Sequence, residues 1–199
     1  MPINIPILLT WLRIILIPLL IAVYYLPESW LRATHQDLAA TLIFIVAAAT
    51  DWLDGHLARR WHQTSAFGAF LDPVADKLMV AAPLIVLVQL GRLDAILAAI
   101  IIGREITISA LREWMARIGA HRSVAVSMIG KIKTTAQMVA IPMLLYYRPL
   151  FGFSAFELGT WLIYIAAVLT LWSMGYYMRM AWPHLIEAVS YTHLTLPTK

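Results

Sequence analysis

Four aspartates, Asp51, Asp54, Asp72 and Asp76, fall close together in a chain that is 61% hydrophobic and only 13% charged. A carboxylate at apolar depth costs about 2.5–3.5 kcal/mol on insertion scales, so four of them call for a compensating cation. Their frame reads D-x2-D-G-x2-A-R-x8-G-x3-D-x3-D. Asp51 and Asp54 are three apart, Asp72 and Asp76 four apart, and on helices each pair shares a face. Gly55 and Ala58 lie about 40° and 20° round the helix from Asp51. One helix then presents two carboxylates beside two nearly bare backbone positions, and a second presents two more. All-oxygen ligands suit Mg²⁺, Mn²⁺ or Ca²⁺ rather than zinc or copper. Mg²⁺ usually takes few carboxylates and completes its shell with substrate phosphates, so the frame predicts a diphosphate substrate with two metal ions. Arg59 is placed to meet a phosphate. A plain helix-packing seam, with aspartates paired to Arg59, Arg60 and Lys77, accounts for two of the four but not for all four beside small residues.

Fixed positive charge comes later in the chain. Arg104 and Arg112 are eight apart, about 80° round a helix and two turns along it. Arg104 follows the apolar run AILAAIII, deep enough to need a partner or a cavity. On the simplest reading Glu105 and Glu113 are those partners. Lys131 and Lys133 open the next helix, followed by Thr134, Thr135 and Gln137. For the two lysines, snorkelling to headgroups and binding of a phosphate are equally good readings. Arg117 and Arg122 read as ordinary snorkelling. The six histidines form no ligand pattern, and the lack of cysteine excludes disulfides, thiol nucleophiles and zinc–thiolate sites.

These residues must be positioned by membrane helices. A soluble domain carries about 25% charged residues, and here the apolar surplus is spread over several long runs. Six spans are expected: 7–26 (with Pro18 inside), 38–60, 72–90, 94–118, 127–147 and 156–180. The breakers between them are Pro27, Gly68, Gly91, Gly119 and the turn from Pro149 to Gly152. The opening MPINIPILLT lacks a basic region and a small-residue cleavage site, so no signal peptide is expected. Loop charge is lopsided: Arg59, Arg60, Arg112, Arg117, Arg122, Lys131, Lys133 and Arg179 on one side, Arg32, Arg92 and Arg148 on the other. By the positive-inside rule both termini and the aspartates face the cytoplasm. The net charge of +4 is small and scattered, which fits headgroups rather than nucleic acid. The expected fold is all-α, one transmembrane domain over 1–188 with a polar cavity open to the cytoplasm. Residues 189–199 are expected to be a non-native or disordered tail.

The frame from Asp51 to Asp76 resembles the signature of the CDP-alcohol phosphotransferases at every defined position. The resemblance extends through NIPILLTWLRIILIP, ATDWLDGHLARRW, FGAFLDPVADK, REITISALREWMA and KIKTTAQMVA. It implies transfer of a phosphatidyl group from CDP-diacylglycerol to sn-glycerol 3-phosphate, in a multi-pass protein of the bacterial inner membrane that is commonly a homodimer. By carry-over, Asp51, Asp54, Asp72 and Asp76 hold Mg²⁺ or Mn²⁺, and Asp76 is also the general base. Gly55, Ala58 and Arg59 hold the CDP moiety, and Asn4, Thr10 and Arg13 are candidates for the nucleotide side, Asn4 being equally a helix cap. Arg104, Arg112 and Lys133, with Lys131 beside them, are directed to the acceptor phosphate. Competing expectations are another acceptor (serine, inositol phosphate or phosphatidylglycerol), an intramembrane prenyltransferase, or an aspartate-lined cation path.

Overall fold

The computed structural model describes residues 5–61, 66–119, 128–150 and 152–194, with the backbone alone described at 5–7, 54–61, 66–69, 128, 129, 131, 184, 185 and 187–194. Six helices make up the described chain: α1 Ile5–Val23, α2 Ala33–Trp61, α3 Ala66–Gln89, α4 Ala95–Arg117, α5 Met128–Tyr146 and α6 Ala155–Leu194. A minimal antiparallel ribbon, β1 Pro149–Leu150 and β2 Phe153–Ser154, closes the turn before α6, with Gly152 at φ +85°. A helix therefore lies over each expected span, and α4 starts behind an N-cap: the Asp94 side chain accepts from the Ile96 N–H at 2.7 Å.

Two boundaries differ from expectation. Gly68 does not end a helix: α3 begins at Ala66, so Asp72 and Asp76 sit inside it rather than at its start. A single interior glycine costs a helix about 1 kcal/mol, too little to stop it. At the other end, α6 runs past Met180 and through Pro183 to Leu194. Pro18, Pro73, Pro83 and Pro142 also lie within helices, as is tolerated where neighbouring helices re-satisfy the freed backbone groups.

Outward faces are apolar. Ile15, Leu42, Ile85, Trp161, Val168 and Trp172 are all exposed, an arrangement that suits lipid rather than water. Among the described residues two helical stretches, Ala33–Leu53 and Ala155–Pro183, are long and apolar enough to cross a membrane. Helices α4 and α5 bury Arg104 and Lys133, which lowers their mean hydropathy without exposing those two charges.

α1 packs on α2 and α3, α2 on α5, α3 on α4, and α6 along α4 and α5. α1 and α2 run antiparallel, because Arg13 midway along α1 meets Asp51 in the second half of α2, while Tyr24 just past α1 meets Asp37 early in α2. The end remote from the aspartates is clasped by Arg92. Its guanidinium forks onto Asp37 (2.8 and 3.0 Å), donates to the Leu145 carbonyl (2.9 Å) and lies 4.2 Å from the Tyr147 ring centre. Tyr147 in turn stands edge-on to Phe156. One residue thus ties α2, the α3–α4 turn, α5 and the start of α6. Arg92→Met is expected to destabilise the protein by about 3 kcal/mol, because the largely buried Asp37 loses its counter-charge. Unfolding in detergent by SDS titration would measure it, with Asp37→Asn costing a similar amount and the double variant less than the sum. An unchanged midpoint in Arg92→Met would refute the clasp.

Candidate active site

The site begins on α1. Thr10 and Arg13, three residues apart on one face, are both buried and both reach the aspartates. Thr10 donates to Asp72 at 2.7 Å, and Arg13 Nη1 lies 2.7 Å from Asp51 and 2.5 Å from Asp76. A guanidinium that is 0% exposed therefore bridges carboxylates from α2 and α3 that are 37% and 55% exposed. The bridge to the described aspartates comes from Arg13 rather than from Lys77, while the side chains of Arg59 and Arg60 lie outside the described residues. The aspartates converge because the second half of α2 and the first half of α3 both bring their carboxylates to the first half of α1.

Asp51, Asp72 and Asp76 line one wall of a cavity of about 370 Å³. The other wall is built from α4 and α5: Glu105, Ser109 and Arg112 at spacings of four and three, then Thr134, Gln137 and Met138. Lys77, Pro73, Met79 and Val80 complete it. A carboxylate-rich wall thus shares one polar chamber with a cation-bearing wall, and its volume lies in the range of small-molecule sites.

The basic residues have different situations. Arg104 is buried, donating to Ser173 at 2.9 Å and to Glu105 at 3.3 Å. Lys133, also buried, donates to the same Glu105 oxygen. Both stand behind the cavity wall with Glu105 between them. Arg112 lines the cavity itself, leaning on Tyr177 with its guanidinium carbon 5.3 Å from the ring centre and a long 3.4 Å contact to the hydroxyl. Glu113, the neighbour expected to neutralise it, pairs instead with Arg117 at 2.6 Å. No acidic side chain pairs with Arg112 among the described residues, and its Nε is buried without a hydrogen-bond partner.

Asp54, Gly55, Ala58 and Arg59 lie on α2 and Lys131 on α5, but their side chains, like all of Asn4 and Arg122, are outside the described residues. Among the described residues no three acidic or histidine groups are gathered closely enough to hold an ion by themselves. The donor chemistry nonetheless fits a hard cation. Carboxylate oxygens from two helices already converge on a single cationic group, Arg13, and line an open polar chamber.

Sequence reasoning missed the central part played by Glu105, which looked only like a partner for its neighbour Arg104. Its placement between Arg104 and Lys133 depends on α5 passing α4, which no local pattern encodes. Tyr177 was missed for the same reason.

Residues 3–172 match the sequence profile of the CDP-alcohol phosphatidyltransferases. Relatives named CDP-diacylglycerol–glycerol-3-phosphate 3-phosphatidyltransferase come from Shigella flexneri serotype 5b (strain 8401), Shigella boydii serotype 4 (strain Sb227) and Escherichia coli (strain K12). Each is 52% identical over 189 residues, which is 94% of this chain and the full length of the relative. With Asp51, Asp72 and Asp76 gathered into one polar chamber and likeness running almost from end to end, the chain belongs to the CDP-alcohol phosphatidyltransferase family.

Proposed function

We infer that this protein transfers the phosphatidyl group of CDP-diacylglycerol to sn-glycerol 3-phosphate, giving phosphatidylglycerophosphate and CMP, a step of phospholipid biosynthesis. The observation that carries the reading is the two-signed cavity: Asp51, Asp72 and Asp76 in one wall, and in the other Arg112, which has no acidic partner among the described residues. An anionic acceptor is what such an arginine requires, and the dianionic phosphate of glycerol 3-phosphate meets it with more charge than the lone carboxylate of serine, which also brings an ammonium group.

Asp51, Asp54, Asp72 and Asp76 would hold Mg²⁺ or Mn²⁺, with room for two ions. When bound, the metal neutralises the diphosphate and the charge that develops on the departing CMP phosphate. Gly55, Ala58 and Arg59 hold the CDP moiety. Arg112 holds the acceptor phosphate, and Arg104, Lys133 and Lys131 add positive potential behind it. The acceptor's terminal hydroxyl attacks the phosphorus that bears diacylglycerol. A new P–O bond forms, the bond to the CMP oxygen breaks, and an Asp76 carboxylate oxygen takes the hydroxyl proton. Asp76 suits that role as the more open of the two carboxylates on Arg13.

A lipid donor explains the setting. Six spans in the bacterial inner membrane, with both termini cytoplasmic, leave the acyl chains in lipid while the headgroup enters the chamber. The excess of Lys and Arg in the loops on the aspartate side supports that orientation, and a homodimer is compatible with the exposed apolar faces. Purified protein in detergent with CDP-diacylglycerol and Mg²⁺ should release CMP when glycerol 3-phosphate is added, and not with serine or inositol phosphate. Release that is indifferent to glycerol 3-phosphate would overturn the assignment of the acceptor.

A further inference from the structure

We propose that Gln137 and Glu105 together read the spare hydroxyl of the acceptor, the one on C2 of glycerol 3-phosphate, and so set the preference for this polyol. The proposal rests on the transferase reading above. Gln137 is only 2% exposed, yet it lines the cavity, and its Nε2 is buried with no hydrogen-bond partner. A buried amide donor left unmade is costly, and one bordering a ligand chamber points to a ligand oxygen. Glu105 lines the same chamber. Arg104 and Lys133 both donate to its Oε1, so Oε2 keeps its accepting capacity.

A hydroxyl needs one donor and one acceptor as partners. An amide N–H from Gln137 and a carboxylate oxygen from Glu105 supply that pair. A hydrogen at the same carbon would satisfy neither, and a ketone only the amide. Nearby polar groups are less suited: the Thr134 hydroxyl donates to the Gly130 carbonyl at 2.9 Å, and Arg112 offers only donors. Arg104 and Lys133 both hold Glu105 by one oxygen, which fixes the carboxylate and leaves its other oxygen to accept.

The test compares glycerol 3-phosphate with 3-hydroxypropyl phosphate, which keeps the phosphate and the terminal hydroxyl but lacks the one on C2. Wild-type enzyme is expected to favour glycerol 3-phosphate by about 10- to 100-fold in kcat/KM, the penalty for a buried polar pair left without its ligand partner. Gln137→Met, close in size, should move that ratio towards unity. A merely structural role would lower both rates and leave the ratio where it was. If the methionine variant fails to fold, Gln137→Glu removes the donor with less change in shape and is read the same way. The proposal is overturned if wild-type enzyme uses the two acceptors alike, or if the ratio survives in a folded variant. Absence of CMP release with both acceptors would instead count against the transferase reading itself.

Discussion

Asp76→Asn is expected to lower kcat about 10²- to 10⁴-fold in the CMP-release assay, the range that a positioned general base contributes. Asparagine keeps the size of the side chain and an accepting oxygen, but it has no charge and cannot take the proton of the attacking hydroxyl. The fold should survive. Asp76 is 55% exposed, so its pairing with Arg13 is screened and worth about 1 kcal/mol or less, while Arg13 retains Asp51 at 2.7 Å. A thermal melt in detergent close to that of the wild type would therefore accompany the loss of turnover. Residual activity within tenfold of wild type would remove Asp76 from the proton transfer and leave it an electrostatic role only.

The aspartate pairs could be read from sequence because helical periodicity is a local property, whereas the choice of Asp76 as the base came from the family resemblance. Asp51 with Asp54, and Asp72 with Asp76, share faces because of their spacing alone, and small residues beside them mark where a ligand can approach. The six helices were legible for a related reason: apolar runs and turn residues alternate along the chain. Where the reading slipped, a weak local signal was overruled. Gly68 looked like a break, yet α3 runs through it.

Contacts between distant segments were not legible. Arg13 reaches Asp76 across 63 positions, and Arg92 reaches Asp37 across 55. Both pairings depend on the relative depth of two helices, which charge and periodicity do not determine. The consequence is specific: every sequence-level partner proposed for a charged site residue was a near neighbour, and several were replaced. Glu113 turned to Arg117, and the described aspartates turned to α1. Glu105 did contact Arg104, but it also gained Lys133 from another helix. Such replacements decide function, because they determine which cations remain available to a ligand.

Arg112 is the clearest case. Four cations, Arg104, Arg112, Lys131 and Lys133, were candidates for the acceptor phosphate, and sequence could not rank them; the side chains of all but Lys131 are described. The structure separates them by their partners: Arg104 and Lys133 share Glu105, whereas Arg112 has the Tyr177 ring and hydroxyl and the open chamber. A guanidinium binds a phosphate through charge-assisted hydrogen bonds worth about 1.5–3 kcal/mol, so Arg112→Met should lower kcat/KM for glycerol 3-phosphate about 10- to 100-fold. The loss should appear chiefly as a raised KM for that acceptor, with the KM for CDP-diacylglycerol little changed, since the donor is held on the aspartate side. Arg112→Lys would restore part of it, keeping charge but losing the planar fork. Steady-state kinetics with each substrate varied in turn would decide the matter. An unaltered KM for glycerol 3-phosphate in Arg112→Met would pass the phosphate to Lys133 or Arg104, and would require Glu105 to release one of them when the acceptor binds.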